Sequence, residues 1–301
     1  QQQQQQQHQK WPTPPKQLSA GAQQQPSAPE ASPAGPPASA PAPAAAAAAA
    51  PARVAVVAPG AGTGANSAVY LRLGRLPEFR LETVGRARAA YDRYPACFPS
   101  GCAGQNLQTW ARQLIDEGMV ERSDLLIFGS RGGQVVLPTL WQTFGARTPP
   151  AVVINGGCAM SLPTAVQWPE GAVTFLLIGG QDNFRGKLTI EQYIADVKRR
   201  VPKGNCTTAV LFVNEMPHMP QAALLGAVLP PMLRTVASWK KKGAGHAQAE
   251  VQGLLVALQQ GKLWSGRLMF TSGPGRWEDM PFGQCGVDAS KRASIAALGG
   301  A

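Results

Sequence analysis

Histidine is scarce in this 301-residue chain, three in all, and the five cysteines include no C-x-x-C pair. An odd cysteine number without such a pair, and without paired histidine ligands, argues against both a disulfide framework and a zinc site. It favours a reducing, intracellular compartment. No apolar stretch of about 18 or more residues occurs, so no membrane span is expected. The N-terminus lacks the charged-then-apolar pattern of a secretory signal and the arginines of a transit peptide. The chain starts on Gln1 and not on methionine, as a piece of a longer protein would. No internal repeat is present.

Large apolar residues are also missing from residues 1–52, where Trp11 and Leu18 stand almost alone among Gln, Pro, Ala and Ser. Burial there cannot offset a backbone entropy of roughly 1 kcal/mol or more per ordered residue, so a disordered tail is expected. The alanine run Ala44 to Ala50 is shorter than the roughly 12 to 15 residues an isolated helix needs in water. The net charge is +11, which invites a nucleic-acid partner. The excess is diffuse, however, and the run Lys240, Lys241, Lys242 comes with no recognisable nucleic-acid module or aromatic stacking motif. A solvated helix end is the expected meaning, and no nucleic-acid partner is expected.

From Arg53 onward, short runs rich in Val, Ile and Leu end in Gly, Pro or Asn, each followed by a segment with helical spacing. This alternation predicts an α/β fold: a doubly wound, mostly parallel sheet of about six strands, spanning residues 53–239. The runs are Arg53 to Ala58, Arg80 to Val84, Asp124 to Phe128, Ala151 to Ile154, Ala172 to Ile178 and Thr207 to Val213. Apart from Arg80 to Val84, they are apolar continuously and not alternately, as strands covered on both faces must be. Crossover helices are expected at Asn106 to Glu117, Val135 to Phe144, Ile190 to Arg199 and Gln221 to Trp239. Pro230 and Pro231 predict a break or kink in the last of these. Residues 240–301 read as an extension, with one amphipathic helix from His246 to Gln260 and then a Gly-rich, poorly ordered remainder.

In parallel sheets the reactive groups gather at the carboxyl ends of the strands. After the first strand comes Pro59-Gly60-Ala61-Gly62-Thr63-Gly64; after the third, Gly129-Ser130-Arg131-Gly132-Gly133; after the fifth, Gly179-Gly180-Gln181-Asp182; after the sixth, Asn214-Glu215-Met216-Pro217-His218. A serine, an aspartate and a histidine thus follow successive strands in that order. A serine hydroxyl is a poor nucleophile until an imidazole accepts its proton, and the imidazole needs a carboxylate to fix its tautomer. His218 is the one histidine of the region, since His8 and His246 lie in the tail and the extension. Taken alone, a lone histidine is more often structural, and an aspartate in a turn is more often a cap.

The order and the strand positions resemble the α/β-hydrolase family over residues 53–239, somewhat more than half the chain. The resemblance implies Ser130 as nucleophile, Asp182 as acid and His218 as base. It implies an oxyanion hole made by the amides of Ala61 and Arg131, and a small acyl substrate: an ester, thioester or amide. The elbow departs from the family's G-x-S-x-G. With Ser130 as nucleophile, the position two before it is the bulky Phe128. In the strict frame, with Gly129 and Gly133 as the two glycines, Arg131 takes the nucleophile position. Arginine stays protonated and cannot attack an acyl carbon. That register implies an inactive binding or scaffold domain, with Arg131 holding a carboxylate or phosphate. The two registers remain open here.

Cys158, in Asn155-Gly156-Gly157-Cys158, is a further rim candidate as a thiol nucleophile, although a small buried cysteine is the commoner outcome. The Gly60 to Gly64 loop lacks the G-K-[ST] ending of a P-loop and the G-x-G-x-x-G spacing. No cofactor or metal is expected.

Overall fold

The computed structural model describes residues 50–57, 68–82, 111–130, 132–155, 168–183, 188–201, 207–242, 247–261, 264–273 and 275–283. The tail expectation and the end of the extension fall outside them. The apolar runs form the strands. β1 (Ala52–Val57), β2 (Phe79–Glu82), β3 (Leu125–Gly129), β4 (Ala151–Ile154), β5 (Val173–Gln181) and β6 (Thr207–Pro217) pair in parallel. β7 (Gly266–Gly273) and β8 (Arg276–Phe282) add antiparallel. The order is β2-β1-β3-β4-β5-β6-β7-β8.

The expected count of about six strands is therefore corrected to eight among the described residues. The segment read as a Gly-rich remainder contributes a hairpin that extends the sheet beyond β6. β7 carries the buried run Leu268, Met269 and Phe270, whereas β8 is half exposed and polar, which hid the pair from a search for continuous apolar runs.

The helices are α1 (Ala68–Leu73), α2 (Met119–Arg122), α3 (Leu137–Phe144), α4 (Ile190–Arg200), α5 (Ala222–Lys242) and α6 (Ala247–Gly261), with residues 111–116 also helical. Strand residues alternate between the two sheet faces, and both faces are covered. Val54, Val56, Leu125, Ile127, Phe175 and Leu177 pack with α1, α5 and α6. Ala55, Val57, Leu126, Phe128, Leu176 and Ile178 pack with residues 111–120, α3 and α4. The fold is thus α/β, with a mixed, mostly parallel sheet flanked by helices.

α4 starts where its capping box dictates. The Thr189 Oγ1 accepts from the Gln192 amide at 3.2 Å, and the Gln192 side chain accepts from the Thr189 amide at 2.8 Å. Such a cap contributes about 1 kcal/mol.

Of the break or kink expected at Pro230 and Pro231, no break occurs, and α5 is helical throughout. Leu224, Leu225, Val228 and Leu229 before the pair, and Met232, Leu233, Val236 and Trp239 after it, are all buried on the sheet. Burying each such side chain contributes about 1.5–3 kcal/mol, which outweighs the backbone hydrogen bonds that two prolines remove. The Trp239 ring stacks on Phe175, with centroids 6.1 Å apart. α5 is also the one described helix long and apolar enough to cross a membrane, and half of its apolar window is buried against the sheet.

At the amino ends of β1 and β3, Asp124 binds the Arg53 amide at 2.8 Å and the Arg53 guanidinium through both carboxylate oxygens, each at 3.1 Å. These bonds, the side-chain one foremost, hold the Asp124 carboxyl below its ordinary range. A carboxyl depressed on folding stabilises the native state above its unfolded pKa of about 4, and that contribution is lost as the pH falls through the folded value. Asp124→Asn is expected to flatten the decline of the urea midpoint between about pH 5 and pH 3 relative to wild type. An unchanged slope counts against the clamp.

Candidate active site

The strand ends on one rim of the sheet bring three of the sequence candidates together. β3 pairs with β4 as far as Gly129 and Ile154, and the next amide, that of Ser130, still donates to the Ile154 carbonyl at 2.8 Å. Ser130 then turns with φ 43°, a conformation that costs a non-glycine residue about 1–3 kcal/mol and persists only when its surroundings impose it. Helical structure follows at once, as a π-helical turn over Gly132–Val136 that runs into α3. Ser130 therefore stands in the turn between strand and helix. Phe128, two residues earlier, is fully buried among Val136, Leu137 and neighbouring strand residues, so the side face of the sheet absorbs its bulk. Gly132, two residues later, is buried.

Asp182 and His218 meet because β5 and β6 are spliced unevenly. Gly179 pairs with Val213 and Gln181 with Pro217, so one residue of β5, Gly180, faces three of β6, Asn214, Glu215 and Met216. The extra backbone folds over the two glycines. A Cβ on Gly179 would lie 2.2 Å from the Met216 carbonyl oxygen, and one on Gly180 would lie 2.5 Å from that of Asn214. Beyond the last pair, Asp182 and His218 emerge side by side. The His218 Nδ1 is 2.8 Å from the Asp182 Oδ1, and the His218 Nε2 is 3.1 Å from the Ser130 Oγ.

The partners suit one tautomer of the imidazole: a carboxylate can only accept, so a proton on Nδ1 serves Asp182 and leaves Nε2 to accept from the serine hydroxyl. The Asp182 side chain is 3% exposed and that of His218 13%. The carboxylate is thus shielded from water while the imidazole edge reaches the surface. Chemically, such a chain can draw the proton from the hydroxyl and hold the resulting imidazolium against the carboxylate.

Ala61, Arg131 and Cys158 lie outside the described residues. Among the described residues no group of three or more His, Cys, Asp or Glu side chains could hold a metal ion.

Asn155 carries a geometry that its place in the sequence does not reveal. It is 1% exposed and has φ 48°. Its Nδ2 donates to the carbonyls of Pro217 at 3.0 Å and His218 at 2.7 Å, and its Oδ1 accepts from the Gly179 amide at 2.8 Å. The available signal was an asparagine ahead of two glycines at a strand end. That pattern announces a left-handed turn but not what the amide will hold.

Comparisons with protein-family models, with curated proteins and with solved structures found no match for this chain.

Proposed function

We propose that the protein is a serine hydrolase that cleaves an ester, thioester or amide, with Ser130 as nucleophile, His218 as general base and Asp182 as the carboxylate behind it. The observation that carries this reading is the unbroken line from the Ser130 Oγ through the His218 imidazole to the Asp182 Oδ1, with positive φ on the serine. A buried carboxylate and a half-buried imidazole would need no such alignment for stability alone.

In the proposed reaction the Ser130 Oγ attacks the carbonyl carbon of the acyl group as its proton passes to the His218 Nε2. Asp182 stabilises the imidazolium, which then gives the proton to the departing alcohol, thiol or amine. A water deprotonated by the same Nε2 releases the acid and restores the serine. The oxyanion of each tetrahedral intermediate is assigned to the backbone amides of Ala61 and Arg131, following the resemblance to α/β-hydrolases. Only eighteen residues separate Ile154 from Val173, which leaves little chain for a lid between β4 and β5. A small acyl substrate, or one presented on a surface, fits that economy. The competing reading, with Arg131 at the apex as an anion ligand, leaves unexplained why the Ser130 Oγ lies 3.1 Å from the His218 Nε2.

Fluorophosphonate labelling tests the proposal directly. The wild type is expected to add one phosphonyl group by intact mass, and Ser130→Ala to add none. An unlabelled wild type, or equal labelling of Ser130→Ala, rejects it.

A further inference from the structure

His218 is borne by β6, whereas Ser130 is borne by β3, and β4 and β5 stand between them. Three strand spacings amount to about 14 Å. Exit from β6 alone therefore cannot place the imidazole on the serine, and the chain after Met216 must lean back over the ends of β5 and β4. Something must hold it there.

We propose that Asn155, at the end of β4, is the positioning residue that fixes the His218 backbone over the sheet and so sets the reach of its Nε2 to Ser130. The residue sits in sequence and space between the two strands that the gap separates. Both of its side-chain N–H groups are spent on the leaning segment, one on the Pro217 carbonyl and one on the His218 carbonyl, at 3.0 and 2.7 Å. Its oxygen takes the Gly179 amide at 2.8 Å, so the same amide registers the histidine segment against β5, which also leads to Asp182. Its own backbone amide donates to the Leu177 carbonyl at 2.8 Å. The orientation of the amide is set by its surroundings, with two carbonyls on one side and an N–H on the other. Asn155 has a positive φ of 48°, a conformation that asparagine tolerates better than most residues. No other amino acid supplies two donors and one acceptor from so short a side chain. An aspartate of the same shape would set a carboxylate against two carbonyl oxygens.

This inference rests on the hydrolase reading for its kinetic arm but not for its structural arm. Asn155→Gly and Asn155→Asp are compared with the wild type and with Asn214→Ala. Glycine keeps the left-handed backbone and deletes only the amide, whereas aspartate keeps the volume. Asn214→Ala removes a different strand-end amide, one that donates to the Ser265 Oγ at 2.9 Å. The measurements are the second-order rate of fluorophosphonate labelling and the low-field proton NMR resonance of the His218 Nδ1–H, assigned by its absence in His218→Ala.

Both Asn155 variants are expected to label about 100-fold more slowly, the penalty of a misplacement near 1 Å, and to lose the low-field resonance to exchange with water. Asn214→Ala is expected to keep both. Asn155 variants that retain the resonance and label within about threefold of the wild type overturn the proposal, even if they melt earlier. Should the wild type itself not label, the hydrolase reading falls and the resonance alone decides: its retention in Asn155→Gly overturns the positioning role, and its loss supports it. If Asn155→Asp fails to fold, Asn155→Gly carries the same comparison.

Discussion

His218→Ala is expected to lower kcat on any acyl substrate the wild type turns over by about 10⁴ to 10⁶-fold, and adding Ser130→Ala to it is expected to cost almost nothing more. The two groups share one hydrogen bond of 3.1 Å and, in the proposed reaction, one proton. Without the imidazole the serine hydroxyl is an ordinary alcohol, and without the serine the imidazole has nothing to deprotonate. Removing either therefore removes the same step, and the double variant should sit within a factor of a few of the singles. Additive losses would mean that the two side chains act separately, and the proposed mechanism would fail. Asp182→Asn is a gentler version of the same experiment. It leaves the packing of a buried side chain intact but offers an amide that can present N–H to Nδ1, which favours the wrong tautomer.

The second large effect concerns stability. Gly179→Ala and Gly180→Ala are each expected to lower the unfolding free energy by about 3 kcal/mol or more, because the added methyl meets backbone and not a movable side chain. The obstructing atoms are the carbonyl oxygens of Met216 and Asn214, 2.2 and 2.5 Å from the new Cβ. Relief requires β6 to lift away from β5, which separates Asp182 from His218 as well. Melting should fall by about 6 to 12 °C for a domain of this size. Gly226→Ala provides the control: it lies in α5 with nothing within 4 Å of its would-be Cβ, and it is expected to gain about 0.5–1 kcal/mol. Chemical denaturation of the three variants separates these outcomes, and a Gly180→Ala protein as stable as wild type would contradict the splice.

Much of the architecture could be read from the chain because five of its strands, β1 and β3 to β6, are largely buried. Runs such as Leu125 to Phe128 and Ala151 to Ile154 are apolar without interruption, and little else in a sequence looks like them. The hairpin escaped for the complementary reason. β8 puts Arg276, Glu278 and Asp279 at the surface, so its period is diluted by solvent-facing residues. The uninterrupted course of α5 was equally hidden, since the two prolines are local signals and the sheet that overrides them is not.

The candidate site divides along the same line. The succession of serine, aspartate and histidine after strands was visible, because each lies within a few residues of an apolar run. The register at the turn was not. Whether Ser130 or Arg131 forms the apex depends on where β3 stops pairing with β4, and that depends on Ile154, 24 residues away in the chain. Asn155 was hidden for the same reason, because its three partners come from β5, from the last residue of β6 and from His218 just beyond it.

The hairpin carries a consequence for how copies of the protein treat one another. A bare β6 would offer eleven residues of open, largely apolar strand as a template for a neighbouring molecule. Instead the outermost strand on that side among the described residues is β8, which carries Arg276, Glu278 and Asp279 and includes Pro281, a residue with no N–H to offer. At the opposite margin the described part of β2 is four residues, among them Arg80 and Glu82. Each margin is short or salted with charge, so stacking of one sheet onto the next is discouraged at both ends.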